Sequence, residues 1–298
     1  LSQVFLLGIL YLASLFAATW VAEKNWLPKK LTHHPLTYTL ALASYASAWA
    51  FFGSFGLAAA QGLAFLAYYL GISLVFSLMP LLVLPLLRLT QAYQLTSIAD
   101  LLAFRFKSPW VGVLTALGLL IGSLPLLAIQ IQAVGDVIYL LTNQGSPYKL
   151  ALVFCLAISA FTSVFGTRNL SLNQKNTGLI FALAFESLVK LVAFGVLGIA
   201  CLVLVFGGFS GLQTWLSANP ASLQLVAAPA SYFVWPSLLL IFFASAFSMP
   251  HIFHIIFMEN FSEQALVKAS RLLPIYLLLI ALPIPVIYWA NLASNTGL

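Results

Sequence analysis

Ser44-Tyr45-Ala46-Ser47-Ala48-Trp49-Ala50-Phe51-Phe52-Gly53-Ser54-Phe55-Gly56 lies inside an apolar segment running from about residue 36 to about residue 60. A segment that crosses a bilayer must satisfy its own backbone hydrogen bonds, because the hydrocarbon offers no partners. Serines, glycines and small alanines in the middle of such a segment fit two structures. One is a discontinuous helix whose freed backbone groups face protein or water, the device with which secondary transporters build ion sites. The other is an unbroken small-residue helix packed closely on its neighbours.

The rest of the composition places this stretch in a membrane. Of 298 residues, 62% are hydrophobic and 6% charged, with a mean hydropathy of +1.06, whereas soluble domains carry roughly 25% charged residues. These values predict an all-α polytopic membrane protein with a single transmembrane domain, residues 1–298. The net charge of +6 comes from Lys and Arg scattered singly between apolar runs, so no nucleic-acid-binding stripe is present. Cys155 and Cys201 each sit inside an apolar run, which indicates neither a disulfide framework nor a metal cluster. No phosphate loop and no nucleophile–base arrangement is readable. Neither an enzymatic activity nor a cofactor is expected of this segment.

A crossing needs about 20 apolar residues, and eight segments qualify: roughly 4–22, 37–60, 62–87, 109–141, 149–166, 177–206, 233–257 and 272–292. No basic region precedes the first, which reads as a retained span in a chain cut at both ends. Lys24, Lys29, Lys30, Arg88, Arg105, Lys107, Arg168, Lys175, Lys268 and Arg271 fall in odd-numbered loops, and Lys149 alone in an even one. The positive-inside rule then makes the odd side cytoplasmic, in a bacterial inner membrane, with the N-terminus outside. The uncharged loop 207–232 is external, and Trp215 and Trp235 are expected at the membrane interface.

Several residues inside or beside the spans invite a specific reading. Thr96 or Ser97 opens a short helix through Phe106, with apolar residues at helical spacing, lying against the bundle. Span four is long, with Pro125 as a kink site, Gly118 and Gly122 as a close-packing face, and Gln130, Gln132 and Asp136 beyond the kink. Gln130 either faces a solute cavity or bonds a neighbouring helix. In span six, Glu186 and Lys190 stand at i,i+4, where the two side chains can meet. Intramembrane charges cost enough to be paired and to face protein or water, so the pair is an ion pathway or a structural salt bridge. Pro250 marks a second helix break in span seven, followed by His251 and His254. That pair could ligate metal or carry protons, although hydrogen bonding to backbone or to Glu259 fits its surroundings better.

These residues together resemble the sodium/solute symporters over nearly the whole chain. The run Ala46-Ser47-Ala48-Trp49-Ala50-Phe51-Phe52-Gly53, with Gly62 after it, looks like the first core helix of that family. Thr96, Asp100, Arg105 and Phe106 look like its cytoplasmic signature, with Leu101 where Phe is usual. Three further runs, 166–170, 185–194 and 250–260, look like the branch in which such a domain forms the membrane part of a sensor histidine kinase. The third departs from that branch by carrying His251 and Ile252 in place of Arg and Gln.

The resemblance implies a fold of two inverted five-helix repeats preceded by an extra helix. Residues 1–36 are then the extra helix and its loop, 37–206 the first repeat, 207–232 the external loop, and 233–298 the start of the second repeat. It further implies a small organic solute, a carboxylate or amino acid, with sodium as the coupling ion (or a proton), and a kinase domain or response regulator as downstream partner. Backbone carbonyls of Ala43 and Ala46, with Ser47 beside them, would hold part of a sodium site, and Glu186 would lie near its exit path. Solute contacts are expected from Trp49, Ala50, Tyr69 and Gln130, with Lys190, Pro250, His251 and His254 as structural or pathway residues. Ala50 has no polar side chain, which speaks against a sugar.

Overall fold

The computed structural model describes residues 2–24, 26–161, 163, 175–227 and 234–295. Every regular element among them is a helix. Five helices are long and apolar enough to cross a membrane, or six if a pair bent by 52° at Ser248–Pro250 is one span, and Pro147–Ala160 is a shorter apolar helix. The eight expected spans appear as helical segments, with departures where a span is broken, reversed or extended.

The chain begins with α1 (Ser2–Glu23) and a short turn of helix, α2 (Lys29–Thr32). The first core span is broken, as the small-residue stretch allowed. α3 (Pro35–Leu42) passes into a 3-10 turn at Ala43–Tyr45, and α4 (Ala48–Gln61) resumes after Ala46 and Ser47. The next helices are α5 (Leu66–Ser77) and α6 (Val83–Tyr93). By length and apolarity alone, 50–77 counts as one span, yet it reverses. Gly62 has φ +60, and the Tyr69 hydroxyl lies 3.2 Å from the Ala50 carbonyl oxygen. In a straight helix those residues would stand about 28 Å apart.

α7 (Ile98–Phe106) is the expected short helix, and its cap explains where it starts. The Ser97 side chain accepts from the Asp100 amide at 3.1 Å, while Asp100 Oδ2 accepts from the amide and hydroxyl of Thr96 at 3.1 and 2.6 Å. This is a reciprocal cap, satisfying amide groups the first turn leaves open. α8 (Pro109–Thr142) follows, 34 residues long, about 51 Å against a hydrocarbon core of about 30 Å. Gly118 and Gly122 do not make the expected close contact, since a Cβ on either would meet nothing within 4 Å. The approach is instead at Gly135, 2.5 Å from the Pro147 oxygen of α9 (Pro147–Phe161) by the same measure.

α10 (Thr177–Ala200) ends in a π-helical turn, Cys201–Val205. The external loop contains two helices, α11 (Phe209–Ala218) and α12 (Pro220–Ala227). Trp215 is not at an interface: it is 8% exposed, in a small core with Phe206, Leu212 and Ala293. Its indole finds apolar partners there because α11 folds back on the end of α10 and on α16 (Pro283–Asn295). Span seven is α13 (Val234–Ser248), α14 (Pro250–Phe253) and a π-helical turn, His254–Met258. The last span starts earlier than its hydropathy suggested. α15 (Glu263–Ala281) has Ser262 as N-cap and buries Leu266, Ala269 and Leu273 at helical spacing, despite Lys268 and Arg271 between them.

The main core lies among α3, α5, α10, α13 and α15, where Tyr38, Leu42, Phe76, Ile180 and Ile256 are fully buried. α8 and α9 pair at the periphery, and large apolar side chains on α8 and α10, such as Ile121, Leu120 and Val196, point outward. Water disfavours so much exposed apolar surface, whereas a bilayer accepts it. The four odd-numbered loops meet at one end of the bundle. Arg88 pairs with Glu263 at 2.9 Å, Lys175 donates to the Asn260 carbonyl, and the His33 ring sits 4.6 Å from that of Phe261.

Candidate functional site

The break in the first core span is a defined turn. Ala46 has φ −70 and ψ 67, and the Ser47 amide donates to the Tyr45 carbonyl at 2.7 Å, which together form an inverse γ-turn. Ser47 is extended, with ψ 179, and its side chain makes no capping bond to α4. The first amides of α4 therefore have neither a helical partner nor a side-chain cap, and the positive end of its dipole is open. The Ala43 carbonyl accepts from the Ala46 amide at 2.9 Å, while no hydrogen bond to the Ala46 carbonyl occurs among the described residues. The buried Ser44 hydroxyl oxygen also has no partner among them.

Pro250 makes the second break. It lacks the amide that would bond to the carbonyl four residues earlier, that of Ala246. The hydroxyl of Tyr45 donates to that Ala246 carbonyl instead. A second tyrosine, Tyr68, donates to the Tyr45 carbonyl. A third, Tyr69, shares a 3.0 Å hydrogen bond with Ser54 and donates to the Ala50 carbonyl at 3.2 Å. Buried carbonyls released by the two breaks are thus taken up by tyrosine hydroxyls, as a lipid-excluded interior requires.

Beside the first break lies a cavity of about 300 Å³. Its floor is the backbone turn Ala46, Ser47, Ala48 and Ala50, and its walls include Phe51, Phe194 and Ile280. The Phe51 and Phe194 rings meet edge to face at 4.9 Å. The charged member of the lining is Lys190, whose Nζ lies 3.1 Å from Glu186 Oε1 one turn earlier on α10. A cation thus reaches the same space as the open amino end of α4.

Of the residues singled out from sequence, Ala46, Ser47, Ala50 and Lys190 share this cavity, and Ala43 is buried directly behind the turn. Glu186 reaches it through Lys190, and Tyr69 braces the α4 backbone beneath it. The Trp49 side chain lies outside the described residues. Gln130 is on α8 and not part of the lining. Pro250 is at the second break, which Tyr45 connects to the first. The two histidines do not converge. His251 is exposed, and His254 Nε2 is 3.2 Å from Glu259 Oε1. Among the described residues no cluster of three or more His, Cys, Asp or Glu could hold a metal ion.

Glu259 belongs to a separate network at the end where the odd loops meet. It is buried and accepts from the amide and side chain of Asn176, each at 2.9 Å, at the start of α10. Burial works against its charge, but the hydrogen bonds from His254 and Asn176 outweigh that and hold the carboxyl below its usual range.

Sequence reasoning missed Tyr45 and Tyr68 as carbonyl partners and Phe194 as a wall. Phe194 was within reach, since it stands four residues after Lys190 and eight after Glu186, on one face of α10.

Two broken helices cross-linked at a cavity, in an all-helical and largely apolar bundle, define a multi-pass membrane protein built on the discontinuous-helix plan of secondary transporters. The chain belongs to the sodium:solute symporter family, whose family model matches residues 28–295. No curated protein and no solved structure gives a match. The family is one of transporters rather than enzymes, and it implies a solute and a sodium ion.

Proposed function

We propose that this chain is the N-terminal part of a sodium-coupled domain that binds or transports a small organic anion, a carboxylate or an amino acid. The observation that carries the proposal is the placement of Lys190 in the cavity at the open amino end of α4. A lysine ammonium and a helix amino terminus both favour a negative group, and charges kept inside a membrane protein mark substrate or ion paths by default. Phe51 and Phe194 supply apolar walls for the remainder of a small solute. The free Ala46 carbonyl, with Ala43 and the unpartnered Ser44 hydroxyl nearby, supports a cation position on the other side of the turn. Trp49 and Tyr69 complete the solute environment, Tyr69 as a brace because its hydroxyl is engaged.

On this reading residues 37–206 form the first five-helix repeat and 233–298 open the second, whose later helices supply the remaining sodium ligands. The odd loops face the cytoplasm of a bacterial cell and the N-terminus lies outside, by their basic residues. A second reading keeps the site and changes its output: the run 185–194 favours a sensor whose solute-bound state is passed to a histidine kinase or its response regulator.

Uptake of radiolabelled acetate, lactate, proline and glutamate into proteoliposomes of the full-length protein, with and without a sodium gradient, tests the proposal. Sodium-stimulated uptake abolished by Ser47→Leu supports transport. Sodium-dependent binding without uptake supports the sensor. Neither binding nor uptake of any of the four, in either condition, overturns the anion reading.

A further inference from the structure

The Glu186–Lys190 pair is neither fully enclosed nor idle. The side chains are 32% and 26% exposed, and Lys190 lines the cavity while Glu186 does not. The pair thus has two ends, an ammonium reachable from the cavity and a carboxylate set one helical turn away. Around the carboxylate the structure gathers neutral oxygens. Tyr11 of α1 and Tyr276 of α15 are close enough to feel the Glu186 charge. The adjacent Ser187 hydroxyl is fully buried, and its oxygen has no partner among the described residues. A buried hydroxyl without a partner is a costly arrangement unless something else completes it.

We propose that Lys190 exchanges partners during binding: the carboxylate of the solute takes the ammonium, and the Glu186 carboxylate so released takes a monovalent cation. This rests on the anion reading above and adds the coupling rule to it. Charge counting gives the rule directly. In the empty state Lys190 and Glu186 neutralise each other. An organic anion alone captures Lys190 and leaves Glu186 charged and unpaired in a low-dielectric interior, an expensive state. A cation alone at Glu186 leaves the Lys190 ammonium unpaired in the same way. Anion and cation together restore two neutral pairs. Each ligand therefore tightens the binding of the other, by equal factors, because linkage is reciprocal. The ion pair is the element through which the two affinities communicate, with no change of helix position needed.

Equilibrium binding to the full-length protein in nanodiscs tests this, with radioactive sodium as one probe and labelled acetate, lactate, proline and glutamate as the other. In the unaltered protein the affinity for the bound acid rises about tenfold when sodium replaces choline. In Glu186→Gln, Lys190 is free from the start, so affinity in choline comes within about twofold of that in sodium. In Lys190→Gln, Glu186 is free, so sodium binds without any acid at least about fivefold tighter than in the unaltered protein, while the acid is lost. Lys190→Arg keeps the cation and preserves the sodium enhancement, which separates charge from folding defects. A Glu186→Gln protein that retains the full sodium enhancement overturns the proposal. So does a Lys190→Gln protein with no gain in sodium affinity, a result that stands even if none of the four acids binds. Failure of all four acids on the unaltered protein counts instead against the anion reading.

Discussion

The Tyr45 hydroxyl donates to the Ala246 carbonyl, the acceptor that Pro250 leaves without its helical amide. One side chain from the first broken helix thus completes the backbone of the second. Tyr45→Phe leaves that carbonyl buried and unpaired, at a cost of about 1–3 kcal/mol. Pro250→Ala restores an amide four residues after Ala246, so the loss caused by Tyr45→Phe is smaller when both substitutions are combined. Thermal unfolding of the four proteins of this cycle measures the coupling, and strict additivity would count against the exchange of donors.

Gly71 sets how closely α5 and α13 approach. A Cβ there would stand 2.9 Å from the Phe243 amide nitrogen and 2.9 Å from the Phe242 Cβ. Because one of those atoms is backbone, neighbouring side chains cannot relieve the clash. Gly71→Ala is expected to lower stability by about 1–3 kcal/mol through overpacking, read as a lower melting temperature in detergent. Gly118→Ala, where a Cβ meets nothing within 4 Å, serves as the neutral control.

The reciprocal cap at the start of α7 gives a local prediction. Asp100 is held below its usual pKa range by the Thr96 hydrogen bond first of all, with further help from Ser97 against the cost of burial. Asp100→Asn or Ser97→Ala should cost about 1 kcal/mol, seen as faster amide exchange confined to 98–106. Exchange unchanged in that segment would show the cap to be redundant.

Glu259 supplies the pH dependence. Its carboxyl is held low by His254 and Asn176, so its folded value lies below the unfolded one of about 4.3. A depressed carboxylate stabilises the folded state above the unfolded value and loses that contribution as pH falls through the folded value. The link between Glu259 and the start of α10 is accordingly complete at neutral pH and is lost in acid. Glu259→Gln should remove the acid-dependent part of the unfolding profile below about pH 4.3. A profile unaltered by the substitution would place the acid transition elsewhere.

How much was legible in the sequence depended on what kind of signal each residue carries. The break at Ala46 and Ser47, the cap at Ser97 and the Glu186–Lys190 pair were readable because small residues, capping residues and i,i+4 charges act locally. The early start of α15 was hidden because Lys268 and Arg271 lower hydropathy even while Leu266, Ala269 and Leu273 form a buried face. Gly118 and Gly122 misled because glycine spacing states where approach is allowed and a partner helix must still be there. The reach of Tyr45 to Ala246 spans 201 positions, and no local pattern encodes it. Gln130 fell outside the cavity for the same reason: the placement of α8 is set by its pairing with α9 and α7.

Glu186 and Lys190 stand on one helix, whereas Asn176–Glu259 and Arg88–Glu263 join separate elements. If α10 rocks as a rigid rod, the first contact rides along undisturbed and the other two must stretch. The bundle thereby keeps two independent gauges. Its interelement contacts register mechanical displacement, and its intrahelical pair is blind to displacement and registers chemical occupancy alone.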